Sequence, residues 1–257
     1  MGKEMIFAPA ELYVLAGAAG VTDIFGLPNR DAIILLDEEC VTKATTSLKE
    51  KGLLTNENGI TPAAFQMIEL LKEYENCHEY TRMNNVLIGF LKEDKDRVAV
   101  LTEIEPNKKY EIDYIPKPDV YFSLLTRIPF LLREPRDIED TFFSKRMTEE
   151  EQQTFEEKDL SNKDVIAIET YMRPRSNRGG KWECFLYFTE GEDFVQIDVE
   201  RNRYDWVSLY AVNKKLYDVL KMPYKKLIDP RQFSLGVLNN ASINGRWWFW
   251  WWRRSIS

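Results

Sequence analysis

The single histidine, His78, stands between Cys77 and Glu79, and this is the first place in the chain to look for chemistry. An imidazole base needs a nucleophile and an orienting carboxylate within hydrogen-bond reach, and the sequence supplies neither at a spacing that would fold them together. His78 is therefore read as a boundary residue. Cys40, Cys77 and Cys184 are an odd, widely spaced set without a CxxC pair or a second histidine, so neither a zinc site nor a disulfide framework is expected. No GxSxG, P-loop, GxGxxG or HExxH pattern occurs. Gly179-Gly180, between Arg178 and Lys181, lacks the Lys-Ser/Thr ending that holds phosphate and magnesium, and reads as a hairpin loop. The acidic runs Asp37-Glu38-Glu39 and Glu149-Glu150-Glu151 point neighbouring carboxylates apart on a helix and read as solvated faces. The expectation is a protein that is not an enzyme, with no catalytic residue, no cofactor and no metal site.

The residues with most to offer are aromatic. Trp247-Trp248-Phe249-Trp250-Trp251-Trp252-Arg253-Arg254 places five of the chain's seven tryptophans in one basic tail. Trp247, Trp248, Trp250 and Trp251 are candidate protein-binding residues, because Trp and Arg dominate the energetic centres of interfaces. Interfacial contact with a membrane and a terminal strand within the chain's own fold are the other two readings, and the run is too short to span a bilayer. A net charge of -7 and a pI near 5.1 oppose a nucleic-acid partner, which requires a basic surface to release phosphate counterions. The opening residues reach Pro9 and Glu11 before any apolar stretch attains signal-peptide length, and Ile6 stands where myristoylation needs Ser or Thr. A cytoplasmic, reducing location is expected, without stable membrane insertion.

These side chains need elements to position them. Pro9 to Gly20 reads as a helix opened by Pro and closed by Gly. Asp37 to Lys51 reads as a second, stopped by Gly52, after a loop holding Gly26, Pro28 and Asn29. A third starts at Thr61-Pro62 and runs toward Tyr74. From Asn85 the period turns strand-like: Val86–Leu91, Arg97–Glu105 and Tyr110–Tyr114 form a meander, followed by a helix from Val120 to Leu132 that Pro129 should kink. The charged stretch 133–163 reads as a connector with one solvated helix. Strands at Val165–Tyr171, Trp182–Phe188 and Val195–Val199, then a helix from about Tyr204 to Leu220, repeat the earlier order.

Aligning Tyr110–Tyr114 on Val195–Val199 and Asp119-Val120 on Asp205-Trp206 gives two β-β-β-α units. The predicted fold class is α+β, with a quasi-two-fold repeat of meander plus helix forming a central antiparallel sheet, beside an N-terminal helical subdomain. One domain over 1–257 is expected, with parts 1–84, 85–132, 133–163, 164–222 and the Trp-rich tail 223–257. Tyr121, Phe122, Trp206 and Tyr210 are further candidate contact residues, as large side chains early in the two repeat-related helices. Ser47-Leu48-Lys49-Glu50-Lys51-Gly52-Leu53-Leu54-Thr55 followed by Asn58-Gly59-Ile60-Thr61 is similar to the helix-turn-wing of bacterial regulators, so a winged-helix DNA-binding regulator is an alternative function. A structural protein-protein interaction module is another.

Ala10-Glu11-Leu12-Tyr13-Val14-Leu15-Ala16-Gly17-Ala18-Ala19-Gly20, then Leu27-Pro28, the Leu48–Leu54 helix end and the two sheet-plus-helix halves resemble EspG-type chaperones of type VII (ESX) secretion, especially their EsaE-like Firmicute branch. The resemblance extends to about Leu220 and omits the tail. It implies a cytoplasmic chaperone that binds a helical secreted substrate or toxin and keeps it export-competent.

Overall fold

The computed structural model describes residues 5–140, 143–160, 163–174 and 179–223. Two four-stranded meanders meet side by side. The first is β1 (Glu79–Met83), β2 (Val86–Gly89), β3 (Arg97–Glu105) and β4 (Lys109–Pro116), followed by helix α5 (Lys117–Arg127). The second is β6 (Val165–Met172), β7 (Lys181–Glu190), β8 (Asp193–Asp198) and β9 (Arg203–Val207), followed by α7 (Leu209–Val219). Before them come α1 (Pro9–Gly17), α2 (Arg30–Leu36), α3 (Cys40–Glu50) and α4 (Pro62–Glu75); between them lie β5 (Ser144–Arg146) and α6 (Glu149–Glu156). All nine strands form one antiparallel sheet in the order β4-β3-β2-β1-β6-β7-β8-β9-β5, which runs outward in matching order from the central β1–β6 pair. This is the α+β, quasi-two-fold arrangement expected.

The unit itself needs correction: each meander has four strands, not three. Glu79–Met83 carries no clean alternation, because as a central strand it buries Tyr80 toward one face and Thr81 and Met83 toward the other. Arg203–Val207 is a strand paired with β8, and the helix expected from Tyr204 begins only at Leu209, after Ser208 caps it by accepting from Ala211 N–H. The repeat therefore sets β4 against β9 and Lys117 against Leu209, one strand away from the alignment made on the sequence. Pro129 splits its helix as anticipated, leaving a 3-10 turn at Pro129–Leu132. The Asn29 loop holds an unforeseen helix, α2, whose cap is the Asn29 side chain accepting from the N–H groups of Asp31 and Ala32. The connector adds a second unforeseen element, the edge strand β5.

The sheet has two differently covered faces. On one, α5 and α7 pack Val120, Leu124, Val212 and Leu216 over Ile88, Val100, Ile168 and Tyr187. On the other, α1, α3 and α4 cover the first meander, with Leu15, Leu48 and Leu71 against Tyr80, Leu87 and Leu101. Over the second meander only a small cluster forms there, Phe155 of α6 with Phe188, Val195 and Ile197. Buried carboxylates are all held by cations: Glu11 by Lys51, Glu139 by Arg133, Asp198 by Arg201 and Asp205 by Arg203.

Glu139 does more than pair. It accepts from both Arg133 terminal nitrogens at 2.8 and 2.6 Å, from Arg136 N–H at 2.8 Å and from Leu209 N–H at 2.9 Å, so it ties the connector to the α7 N-terminus. Burial alone would raise this carboxyl, but those donors outweigh it and hold it below the ordinary glutamate range. A depressed folded-state value adds stability above the unfolded-state value, and that stability is lost as pH falls through the folded value. Glu139→Ala should cost about 2–3 kcal/mol in urea unfolding at neutral pH. Glu139→Gln should remove part of the acid-side loss of stability.

Candidate functional site

The three cysteines are buried and free. Burial pushes the Cys77 thiol up to about 12, and its Sγ donates to Glu73 O within α4. Burial also raises Cys184. No three His, Cys, Asp or Glu side chains among the described residues are grouped to hold a metal ion. A hollow of ≈ 580 Å³ lies between α4 and β4, lined by Met5, Leu53, Phe65 and Tyr114 with Glu69 and Glu73 at its rim. It brings no nucleophile or base together.

The four aromatic candidates do not share a surface. Tyr121 lies between α5 and α7, edge-on to Tyr217 with ring centroids 6.1 Å apart and its hydroxyl facing Asn213 Oδ1 at 3.5 Å. Phe122 beside it is 49% exposed. Tyr210 meets Phe143 edge-on at 5.2 Å. Trp206 is a strand residue on the opposite face, packed under α6 with its indole N–H 3.4 Å from Glu151 Oε1. It is not the counterpart of Tyr121 or Phe122. Trp247, Trp248, Trp250 and Trp251 lie outside the described residues.

The surface that reasoning from helices missed is on the strands. The register Val165↔Phe188, Ala167↔Leu186, Glu169↔Cys184 and Tyr171↔Trp182 places these pairs on the face that α6 covers only at one end. Cys184 O accepts from Val199 N–H, which continues the row onto the next strand. Trp182 is 45% exposed, Val199 41% and Val165 40%, with Cys184 and Leu186 between them as floor. Trp182 donates its indole N–H to Glu169 at 3.3 Å, which fixes the ring's polar edge and leaves apolar surface to solvent. The sequence did carry a signal: Trp182, Cys184, Leu186 and Phe188 alternate with period two.

At the other end of this row the N-terminal layer closes in. Phe25 stacks on Tyr171 with centroids 5.1 Å apart and 11° between planes, and on Tyr80 at 4.4 Å. Tyr74 Oη donates to Phe25 O at 3.0 Å and Tyr13 Oη to Pro28 O at 3.0 Å, so the loop leading to α2 is pinned beside the Tyr171–Trp182 pair. The result is an apolar strip on sheet that the described residues leave partly open, bordered by α6 at one end and by the Phe25 loop at the other. Such a strip suits an apolar segment.

A family model described as "Domain of unknown function (DUF5081)" matches residues 1–228. The chain belongs to the DUF5081 family. Two curated Staphylococcus aureus proteins named type VII secretion system protein EsaE, from strains USA300 and NCTC 8325, are 26% identical to this DUF5081 chain over 102 residues. The match takes in 40% of this chain and 45% of theirs, so the chain spans under half the length of the curated relatives it matches. Among solved structures, the Mycobacterium tuberculosis type VII secretion chaperone EspG5, in complex with the PE25–PPE41 dimer, superposes with a TM-score of 0.55 over 87% of this chain and 98% of that one. At 9% identity that likeness is one of fold. The EspG-type resemblance read from the sequence is thus met both by EsaE sequences and by an EspG fold. The DUF5081 match ends at residue 228, before the tryptophan run that starts at Trp247.

If Trp182 is a display residue and Trp206 a packing one, they should differ in stability cost. Trp182→Ser is expected to change urea unfolding by less than about 0.5 kcal/mol, whereas Trp206→Ser should cost about 2–3 kcal/mol. With their thiols raised by burial, Cys77 and Cys184 should resist iodoacetamide in the native protein at neutral pH and react after unfolding, as read by mass spectrometry.

Proposed function

We propose that this chain is a cytoplasmic, non-enzymatic chaperone of type VII secretion that holds a helical export substrate or toxin in an export-competent state. The observation that carries the reading is the apolar strip of Trp182, Val199 and Val165, left exposed on a fold shared with EspG5, a secretion chaperone solved with its PE25–PPE41 cargo. The EsaE relatives support the same assignment to type VII secretion. A substrate awaiting export exposes an apolar helical tip, and a strip of sheet between α6 and the Phe25 loop masks such a tip from solvent and from other copies. The chemistry requires no reacting group: binding rests on apolar burial, with Glu169 and the Trp182 indole giving orientation at the edge.

Phe122, Tyr210 and the tail tryptophans form a second set of contact candidates, now on a different face from Trp182 or outside the described residues. Their contribution is separable from that of the strip by mutation.

Co-expression with the products of neighbouring genes, followed by size-exclusion chromatography, should give a stable complex with one helical partner. Trp182→Glu, which places a charge in the strip, should weaken that complex at least tenfold, or about 1.4 kcal/mol, with Phe122→Ala as the control for the opposite face. If no neighbour co-elutes with the chain, the chaperone reading fails; if Trp182→Glu binds as the parent does, the strip is the wrong surface.

A further inference from the structure

Helix α2 is built in an unusual way. None of its seven residues is buried, and at its C-terminal end Leu35 and Leu36 are 85% and 88% exposed. Single exposed leucines are ordinary on a protein surface, but two consecutive ones on a helix whose contact with the core is the partly buried Ile33 are not accounted for by that core. The helix is nevertheless firmly made. Asn29 caps its start, and Asp37 closes its end by accepting from Glu39 N–H at 3.0 Å and from Lys43 Nζ at 2.8 Å. Asp37 N–H in turn donates to Ile33 O. Capping and an ion pair thus hold in place a short helix that burial alone would not, and the leucine pair is presented in a fixed position.

Five residues of chain join the Tyr171 end of the strip to the start of this helix. Phe25 lies on Tyr171, the cross-strand neighbour of Trp182, and α2 starts at Arg30. At no more than about 3.6 Å per residue, Arg30 lies within about 18 Å of Phe25. The turn that follows the leucines carries Asp37, Glu38 and Glu39, with Val41 also exposed just beyond them.

We propose that the α2–α3 elbow is a selectivity ledge for the same partner that occupies the strip: Leu35 and Leu36 extend the apolar contact, and the acidic turn selects a helix whose apolar stripe is bordered by lysine or arginine. The inference rests on the chaperone reading and deepens it by naming the partner's chemistry. Charge complementarity chooses the occupant. Lys43 already pairs with Asp37 and Glu39, so Glu38 carries the selection: a basic flank meets it favourably, an acidic flank meets it as a like charge, and such terms decide which partner binds more than how tightly the best one does.

The probes are two synthetic helical peptides with the same leucine stripe, one flanked by lysines and one by glutamates, titrated into the full-length protein by fluorescence polarisation. The lysine-flanked peptide should bind at least tenfold more tightly, and the preference should shrink as salt rises. Leu35→Ser with Leu36→Ser should weaken it at least fivefold while the circular dichroism spectrum stays unchanged. Glu38→Lys should cut the preference between the two peptides severalfold without touching the leucines. Equal binding of both peptides would overturn the charge selection. Loss of binding with Trp182→Glu but none with the double leucine variant would overturn the ledge and leave the strip reading standing. Indifference to every variant would remove both.

Discussion

The β1–β6 pairing is the joint on which the rest of the molecule depends. It aligns Tyr80 with Tyr171 and Met83 with Ile168, so one residue pair serves the N-terminal core and another the α5–α7 core. Phe25 rests on both tyrosines of the first pair. Arg173, one residue beyond β6, donates to Glu75 O at 2.6 Å and pairs with the Glu75 carboxylate at 2.9 Å, which pins the second meander to the end of α4. Asn84 extends the ladder past the β1 turn by donating to Val165 O and accepting from Ala167 N–H. A central strand has ladder partners on both sides, so here each backbone hydrogen bond also joins one half of the protein to the other.

With that joint in place, α5 and α7 must share one face of the sheet, and symmetry is kept there. The opposite face breaks it. Three N-terminal helices, α1, α3 and α4, cover the first meander and the short α6 the second, and burial follows: Leu12, Leu48 and Leu71 are wholly enclosed, while Trp182 and Val199 stay partly in solvent. A quasi-two-fold frame with unequal cover leaves, among the described residues, the apolar strip on the second half. The candidate surface arises from this difference between the halves, which is why it lies on strands that each read as ordinary sheet.

What the sequence disclosed follows the same physics. Helices with a buried stripe and a marked cap were legible: Thr61-Pro62 opens α4 and Gly52 ends the helix before it. Strands with uniform burial, such as Val86–Gly89, were legible by composition. Glu79–Met83 was not, since it serves two cores and shows no period; nor was β9, because Tyr204, Trp206 and Val207 continue into an amphipathic helix without a break other than Ser208. Helix α2 went unseen because the periodic signal presumes a buried stripe, and α2 offers only the partly buried Ile33. Of the site, the large aromatic residues were visible as types, but which face each would occupy depended on strand register, and a shift of one strand exchanged helix positions for sheet positions.

The joint also sets the order of assembly. Within each meander neighbouring strands are close in the chain, with Asn84, Asn107 and Asn202 taking left-handed backbone at three of the turns, so its contacts are local and quick to form. The contact between Asn84 and Ala167 spans 83 residues, and closing so long a loop is an entropic cost met only when both meanders are ready. Until then β1 and β6 are unpaired rims, open to a neighbouring chain as much as to each other. Nascent molecules are thus most exposed to wrong partners just before the two halves zip, and conditions that slow closure should raise losses to aggregation without altering the finished fold.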